Sequence, residues 1–275
     1  MGKIKGTTKS GGQKHSLDKF YTSIPIAKYC IDKTGIEDFT TIIEPSAGSG
    51  AFSNQIVGCL AMDIHPEHSD IIKQDWLTYK HSKKTSEKIL VIGNPPFGQQ
   101  NSLAIEFINK ASEFADRVAF VLPISFKKQS IQNRLDPYLH LVYEEVLPNN
   151  SFLLNGEVYD VKCVFQIWDK QDTPRDKPSR KELNSNNLFV FVKKLDNPDI
   201  AIQRIGGNAG KAFAIPENRN ESSHYFAKFH KNVNEGEKLR IVSRLNKLVY
   251  DSRDYAVGPR SLSKQEINIE INTIF

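Results

Sequence analysis

Between residues 40 and 122, short apolar runs alternate with longer stretches of mixed polarity, a rhythm that predicts parallel β-strands joined by helices. TTIIEP (40–45) reads as a first strand and GCLAMDI (58–64) as a second, with a shorter strand near DIIKQ (70–74). KILVIG (88–93) and RVAFVLPI (117–124) read as two later strands, and SLAIEFINKASEFA (102–115) as the helix between them. Right-handed crossovers then give an open sheet with ligand sites at the C-terminal ends of its strands.

LHLVYEEVLP (139–148) and VYDVKCVFQIWDK (158–170) are both strand-like and predict an antiparallel hairpin at the sheet edge, with NNSFLLNGE between them. The segment 169–187, rich in Pro, Arg, Lys and Asn, has no apolar period and reads as a linker or excursion. Beyond it, LFVFVKK, DIAIQRIGG, KAFAIP, HYFAKFH and the helical EKLRIVSRLNKLVY suggest a small α+β appendage. The expected fold is α/β: a Rossmann-like, doubly wound, mostly parallel sheet with an antiparallel edge hairpin, then a small α+β C-terminal region. The expected division is a basic flexible tail (1–16), a main domain (17–170) and a basic C-terminal region (171–275) that serves to bind substrate.

Composition narrows the class. At 275 residues with a quarter of them charged, the chain is long enough to bury a sizeable core, and nothing in it repeats. Its longest apolar runs are far short of a membrane span, and no long apolar segment stands at the N-terminus, so a cytoplasmic, nucleoid or nuclear protein is expected, not a secreted one. Three cysteines (Cys30, Cys59, Cys163), none spaced as CxxC, encode neither a disulfide framework nor a zinc site. His65 and His68 in DIHPEH read as loop histidines, and no metal is expected. Residues 1–170 hold 19 Lys+Arg and 19 Asp+Glu, whereas 171–275 hold 18 and 13, so the whole net charge of +5 lies in the C-terminal part. A polyanionic partner suits this balance, as does an ordinary solvated surface.

The chemistry-bearing motifs follow the strands. After the first comes IIEPSAGSGAF (42–52), whose small residues Ala47, Gly48, Ser49 and Gly50 let a ligand approach the backbone ahead of a helix N-terminus. It is neither GxGxxG nor a phosphate loop, so the ligand is not held by its phosphates. Asp63, at the end of the second strand, can accept both hydroxyls of a ribose, and Asp75 in KQDW an adenine amino hydrogen; each also suits a helix cap or a turn. Next is ILVIGNPPFGQQ (89–100), in which Pro95 and Pro96 end the strand and stiffen a loop carrying Asn94 and an exposed Phe97. An exocyclic amine on an aromatic ring is a poor nucleophile because its lone pair is conjugated. Two fixed acceptors, the Asn94 side-chain oxygen and the Pro95 carbonyl, would draw its nitrogen toward tetrahedral geometry, while Phe97 stacks on the ring.

On these residues the chain resembles the class I S-adenosylmethionine-dependent methyltransferases that modify exocyclic amines, specifically the N6-adenine type, over roughly 16–170. DKFYTSIPIAKY (18–29) looks like that family's N-terminal motif, EPSAGSGAF its cofactor loop, MDI its ribose-binding acid, QDW its adenine-contacting acid and NPPF its catalytic tetrapeptide. The order is similar to the gamma arrangement of the DNA enzymes, although guanine-N2 RNA and glutamine-amide enzymes carry near-identical tetrapeptides. The resemblance implies S-adenosyl-L-methionine as cofactor, with Phe20, Tyr21 and Thr22 at its methionine end. It implies Glu44, Ala47, Gly48 and Gly50 around the cofactor, Asp63 and Ile64 at its ribose, and Asp75 at its adenine. Asn94, Pro95, Pro96 and Phe97 would hold the target amine.

Phe152 is a guess for a second aromatic sandwiching the base. The roughly 100 residues after Trp168 are short for a sequence-reading module and match no groove-reading motif, while Lys193, Lys194, Arg204 and Lys211 are candidates for phosphate contacts or a solvated face. Three readings stand. The first is an N6-adenine methyltransferase acting on DNA. The second is the same chemistry on RNA, whose unpaired adenine needs no flipping. The third is a non-catalytic nucleic-acid-binding protein of the same fold.

Overall fold

The computed structural model describes residues 21–154, 157–159, 161–176, 183–256 and 258–274; the basic tail 1–16 and Phe20 lie outside them. The chain opens with β1 (Tyr21–Thr22) and α1 (Ile24–Asp32), which starts after Ser23 with Pro25 in its first turn and buries Ala27, Cys30 and Ile31 at helical spacing. There follow β2 (Thr41–Glu44), β3 (Leu60–Asp63), β4 (Ile72–Lys73) and β5 (Ile89–Gly93). Next are α2 (Ser102–Ser112), β6 (Arg117–Pro123), the short α3 (Gln129–Gln132) and β7 (Leu139–Val146). β8 (Phe152–Leu154), β9 (Glu157–Tyr159) and β10 (Cys163–Lys170) complete the first unit.

Seven strands form one sheet in the order β4-β3-β2-β5-β6-β10-β7. The first five run parallel, while β10 is antiparallel to both β6 and β7. This is the expected mostly parallel Rossmann-like sheet with an antiparallel hairpin, β7 being its edge strand. Every residue of β5 is buried, and its side chains alternate between the two faces. Ile89 and Val91 join Val118, Phe120 and the α2 residues Ala104, Ile105 and Ile108 on one side. Leu90 and Ile92 join Ala119, Val121, Phe165 and α1 on the other. Each such fully buried Ile or Phe contributes on the order of 2 kcal/mol.

Two features differ from the sequence expectation. Among the described residues, α2 is the one α-helix that joins neighbouring parallel strands. The links β2–β3 and β4–β5 contain 3-10 turns instead, at Ser53–Gln55 and Trp76–Thr78. Left-handed Gly48, Gly50 and Gly58 crowd the first link and leave no room for two helical turns. The segment inside the hairpin is also not a plain loop: β8 pairs with β9 and with β1, so Thr22 faces Phe152 across a three-stranded sheet.

The expected linker begins as a docked segment. The Arg175 guanidinium lies over the Trp168 ring and donates to four backbone carbonyls, those of Asp136, Leu139, Gln132 and Leu135. Beyond it, β11 (Phe189–Val192), β12 (Ile200–Gln203), β13 (Ala212–Phe213) and β14 (His224–Phe229) form an antiparallel sheet in the order β11-β14-β12-β13. α4 (Glu235–Leu245) and α5 (Lys264–Ile274) close one face of it over Phe189, Ile200, Ile202 and Phe229. α5 is absent from the sequence expectation, since in SLSKQEINIEINTI Ile267, Ile269 and Ile271 alternate with period two, whereas the helix buries Glu266 and Asn268 beside Ile267 and Ile271. The two units meet where Lys128 binds the buried carboxylate of Glu266 at 3.2 Å and donates to the Ser261 carbonyl at 3.3 Å. No helix among the described residues is long and apolar enough to cross a membrane.

Candidate functional site

At the C-terminal ends of β2, β3 and β5 a cavity of about 560 Å3 opens. It gathers almost all of the predicted site residues around it: Tyr21, Thr22, Glu44, Ala47, Gly48, Asp63, Ile64, Asp75, Asn94, Pro95, Pro96 and Phe97. Gly50 does not line it. Its N–H instead closes a turn onto the Ala47 carbonyl at 2.7 Å, and this turn brings Ala47 and Gly48 to the cavity edge.

Asp63 ends β3 with its carboxylate held by two backbone amides, Gly48 N–H on Oδ2 and His65 N–H on Oδ1, both at 2.8 Å. Each oxygen keeps lone pairs for a further donor, so the group suits a vicinal diol. Gly48 is required by close approach. With φ of +53°, it lies beneath the Tyr21 ring, whose Cε1 would stand 3.0 Å from an added Cβ. The Tyr21 hydroxyl bonds Glu67, so this ring bridges the glycine loop and the loop after β3.

Glu44 is buried, and its Oε2 accepts the Ser53 N–H at 2.8 Å. Burial pushes its carboxyl up to about 8, Asp63 adds to the rise, and the bonds from Ser53 oppose it. Asp75 caps the turn Trp76–Thr78 by accepting the Leu77 N–H at 2.9 Å, the cap role weighed for it, while also lining the cavity.

The other end of the cavity is the Asn94–Phe97 loop. Pro95 is buried, and Phe97 is half-buried against the cluster of Phe52 and Ile92 instead of standing exposed. It still lines the cavity, and its carbonyl accepts the Ala104 N–H at 3.3 Å, tying the loop to α2. The Ser46 hydroxyl donates to the Asn94 carbonyl at 3.1 Å and so couples this loop to the glycine loop. Behind it, Gly98 has φ of +68°, and a Cβ there would stand 2.7 Å from Leu103 Cβ. Asn101 donates from Nδ2 to Ser125 Oγ at 2.8 Å, which links the loop to the end of β6.

Phe152, the guess for a second base-facing aromatic, is fully buried on β8 and is not part of the cavity wall. Residues that sequence reasoning missed are Pro45, Ser46, Ala51, Phe52, His65, Trp76, Leu77, Gly98, Leu103 and Phe107. Most of these are apolar and carry no chemical signal; His65 and Ser46 were legible only through their neighbours in DIHPEH and EPSAG. Among the described residues no group of three His, Cys, Asp or Glu side chains is placed to hold a metal, and no disulfide joins any two of the three cysteines.

The model of a family described as the EDM2 methyltransferase-like domain matches residues 38–185. Protein ENHANCED DOWNY MILDEW 2 of Arabidopsis thaliana is 28% identical over 155 residues, which are 55% of this chain and 11% of that protein. The chain therefore spans a small part of this relative's length. Among solved structures, a proposed RNA methyltransferase of Pyrococcus horikoshii aligns with a TM-score of 0.42 at 15% identity, over 56% of this chain and 87% of its own. A modification subunit of a proposed type I restriction enzyme from Vibrio vulnificus aligns with a TM-score of 0.41 at 15% identity, over 57% and 46%.

Proposed function

Because the chain belongs to the EDM2 methyltransferase-like domain family, we propose that it transfers a methyl group from S-adenosyl-L-methionine to the exocyclic N6 amine of adenine in DNA. The main support is that one cavity joins a diol-ready carboxylate, Asp63, to a proline-stiffened loop bearing Asn94, with the Ser46–Asn94 bond between the two walls. Its volume of about 560 Å3 falls inside the roughly 300–1,000 Å3 usual for cofactor sites.

The donor set fits the cofactor. Asp63 would take the ribose hydroxyls, Ile64 and Asp75 would border the adenine, and Tyr21, Thr22, Ala47 and Gly48 the methionine end, with Gly50 shaping their turn. When bound, S-adenosylmethionine supplies a methyl group activated by a sulfonium. The chain's own residues do the rest. The Asn94 side-chain oxygen and the Pro95 carbonyl accept hydrogen bonds from the two N–H groups of the target amine, which loses one proton to water once the methyl group is transferred, and Pro95 and Pro96 keep those oxygens from relaxing. Phe97 offers a ring edge or face to the base. Positioning carries the rate, since no strong base is needed. In a duplex the adenine must leave its stack at a cost of about a few kcal/mol, which contacts around the pocket offset. Residues 17–170 are the methyltransferase domain in this reading, and 171–275 bind substrate.

The test is to incubate the protein with labelled cofactor and duplex DNA, single-stranded DNA or RNA, digest the product and identify the methylated nucleoside. N6-methyldeoxyadenosine supports the reading. N6-methyladenosine from RNA alone would move the substrate to RNA, and label found only in protein would remove the base-binding role of Phe97.

A further inference from the structure

The C-terminal unit seats several cations on aromatic rings without a carboxylate partner among the described residues: Lys194 on Phe226, Lys211 and Arg219 on Phe213, and Arg204 and Lys264, which share the Tyr225 ring and of which Lys264 lines a cavity. In the first unit, Arg117, Lys127 and Lys170 each lie over an aromatic ring and are also ion-paired, with Asp169, Glu144 and Asp136. Those carboxylates compensate the charge; Lys33, over Tyr29 and Tyr143, is a first-unit cation with no ion pair among the described residues. On the C-terminal sheet, Arg204 lies 5.3 Å from the Tyr225 ring, and Lys264 lies 5.2 Å from Phe191 and 5.5 Å from Tyr225. Neither cation has a carboxylate partner among the described residues. Glu266, two residues from Lys264 in sequence, is buried and already bound by Lys128.

A cation set on a ring is held in place and partly stripped of water without losing its charge, so it remains ready for an anion. The strip continues into a cavity of about 260 Å3 beside Phe191 and Lys264, bordered by Ser185, Val190 and His230. A half-buried ring at the mouth of a cavity with a cation beside it is suited to an unpaired base with its phosphate. A paired duplex could not enter.

The strip is also wired to the Asn94–Phe97 loop. Asn101 binds Ser125, the Lys128 N–H donates to the Ser125 carbonyl, and Lys128 binds the Ser261 carbonyl. Ser261 bridges Ile205, beside Arg204.

We propose that Arg204, Lys264, Tyr225 and Phe191 form a binding surface for a single strand of nucleic acid flanking the target base. The two cations take consecutive phosphates, and one flanking base enters the cavity against Phe191. The assignment rests on the nucleic-acid substrate reading and adds where the strand runs. Of the four sequence candidates it keeps Arg204, adds Lys264, and leaves Lys193, Lys194 and Lys211 outside the path.

The experiment is fluorescence anisotropy with a 5′-labelled single-stranded 12-mer of DNA containing one adenine, titrated with the full chain between 50 and 200 mM KCl. The double variant R204Q/K264Q should bind about tenfold more weakly, and its slope of log affinity against log salt should be shallower by about 1.4, at about 0.7 for each phosphate no longer neutralised. K264Q alone changes an exposed side chain; it should flatten the slope by about 0.7. Phe191→Leu should weaken binding about fivefold or more with the slope unchanged. A purely structural role would not move the salt slope. Wild-type slopes in both charge variants would overturn the surface while leaving the methyltransferase reading intact. No oligonucleotide binding by the wild type would overturn both. Tighter binding of a duplex through the same two residues would overturn the single-strand assignment.

Discussion

The Ser46 hydroxyl hydrogen-bonds the Asn94 backbone carbonyl at 3.1 Å, joining the loop after β2 to the loop after β5. These loops belong to neighbouring parallel strands, yet they carry different tasks in the proposed reaction: one surrounds the cofactor, the other the acceptor amine. Above the paired strands, this side chain ties the two loops together. Ser46→Ala should lower kcat about three- to tenfold while cofactor affinity stays within twofold, because one hydrogen bond of roughly 1 kcal/mol is removed between the walls. Steady-state kinetics with calorimetric cofactor titration checks this; an equal loss in both would mean that Ser46 serves the cofactor directly.

Glu44 predicts a pH dependence of stability. Its folded-state carboxyl is pushed up to about 8 by burial, well above its ordinary value of 4.5. Between those two values the unfolded chain releases a proton that the folded chain keeps, so stability falls as pH rises through that window. Glu44→Gln retains an acceptor for the Ser53 amide but cannot ionise. Its Tm relative to wild type should therefore increase from pH 5 to pH 8, and a constant difference across that range would contradict the protonated carboxyl.

Arg175 predicts a structural effect far from the cavity. Its guanidinium satisfies four carbonyls around α3 and the start of β7, and no lysine can reach all of them. Arg175→Ala should cost about 2–4 kcal/mol in urea unfolding, with Arg175→Lys recovering less than half. A loss below roughly 0.5 kcal/mol would mean that the segment 171–176 is not anchored here.

Gly98 tests the stiffness of the loop proposed to hold the target amine. A Cβ at its left-handed φ would press on Leu103, whose backbone N would stand at 3.0 Å. Gly98→Ala should lower kcat at least tenfold with a small change in cofactor affinity, since the displaced atoms belong to the Asn94–Phe97 side of the cavity. Unchanged kcat would show that the loop's position is not critical.

The strands were legible because each is a short apolar run cut off by glycine, proline or charge, as in KILVIG before Asn94. The cavity was legible for a related reason: chemistry-bearing residues stand just past those runs, where a parallel sheet gathers its ligand-binding loops. What could not be read is non-local. Tyr21–Thr22 makes a two-residue strand whose partner lies about 130 residues away at Phe152–Leu153, and no local period announces such a pairing. That same pairing buries Phe152 and so removes it from the base-facing role guessed for it. Phe97 was expected outside because prolines and glycines flank it, but the turn they impose folds its ring back against the buried cluster that includes Phe52 and Ile92. The helix expected after β2 failed on the left-handed glycines Gly48, Gly50 and Gly58 of its link, which local propensity alone underweights.

Asn94 bears the weight of the proposed chemistry, in which an amide at the end of β5 holds an exocyclic amine in line with an activated methyl group. The decisive assay is single-turnover methyl transfer to an adenine-containing oligonucleotide by Asn94→Ala, alongside calorimetric titration of S-adenosylmethionine. A rate at least about 100-fold lower, with cofactor affinity within twofold of wild type, is expected. Transfer at an undiminished rate would refute the role of Asn94 and the mechanism built on it.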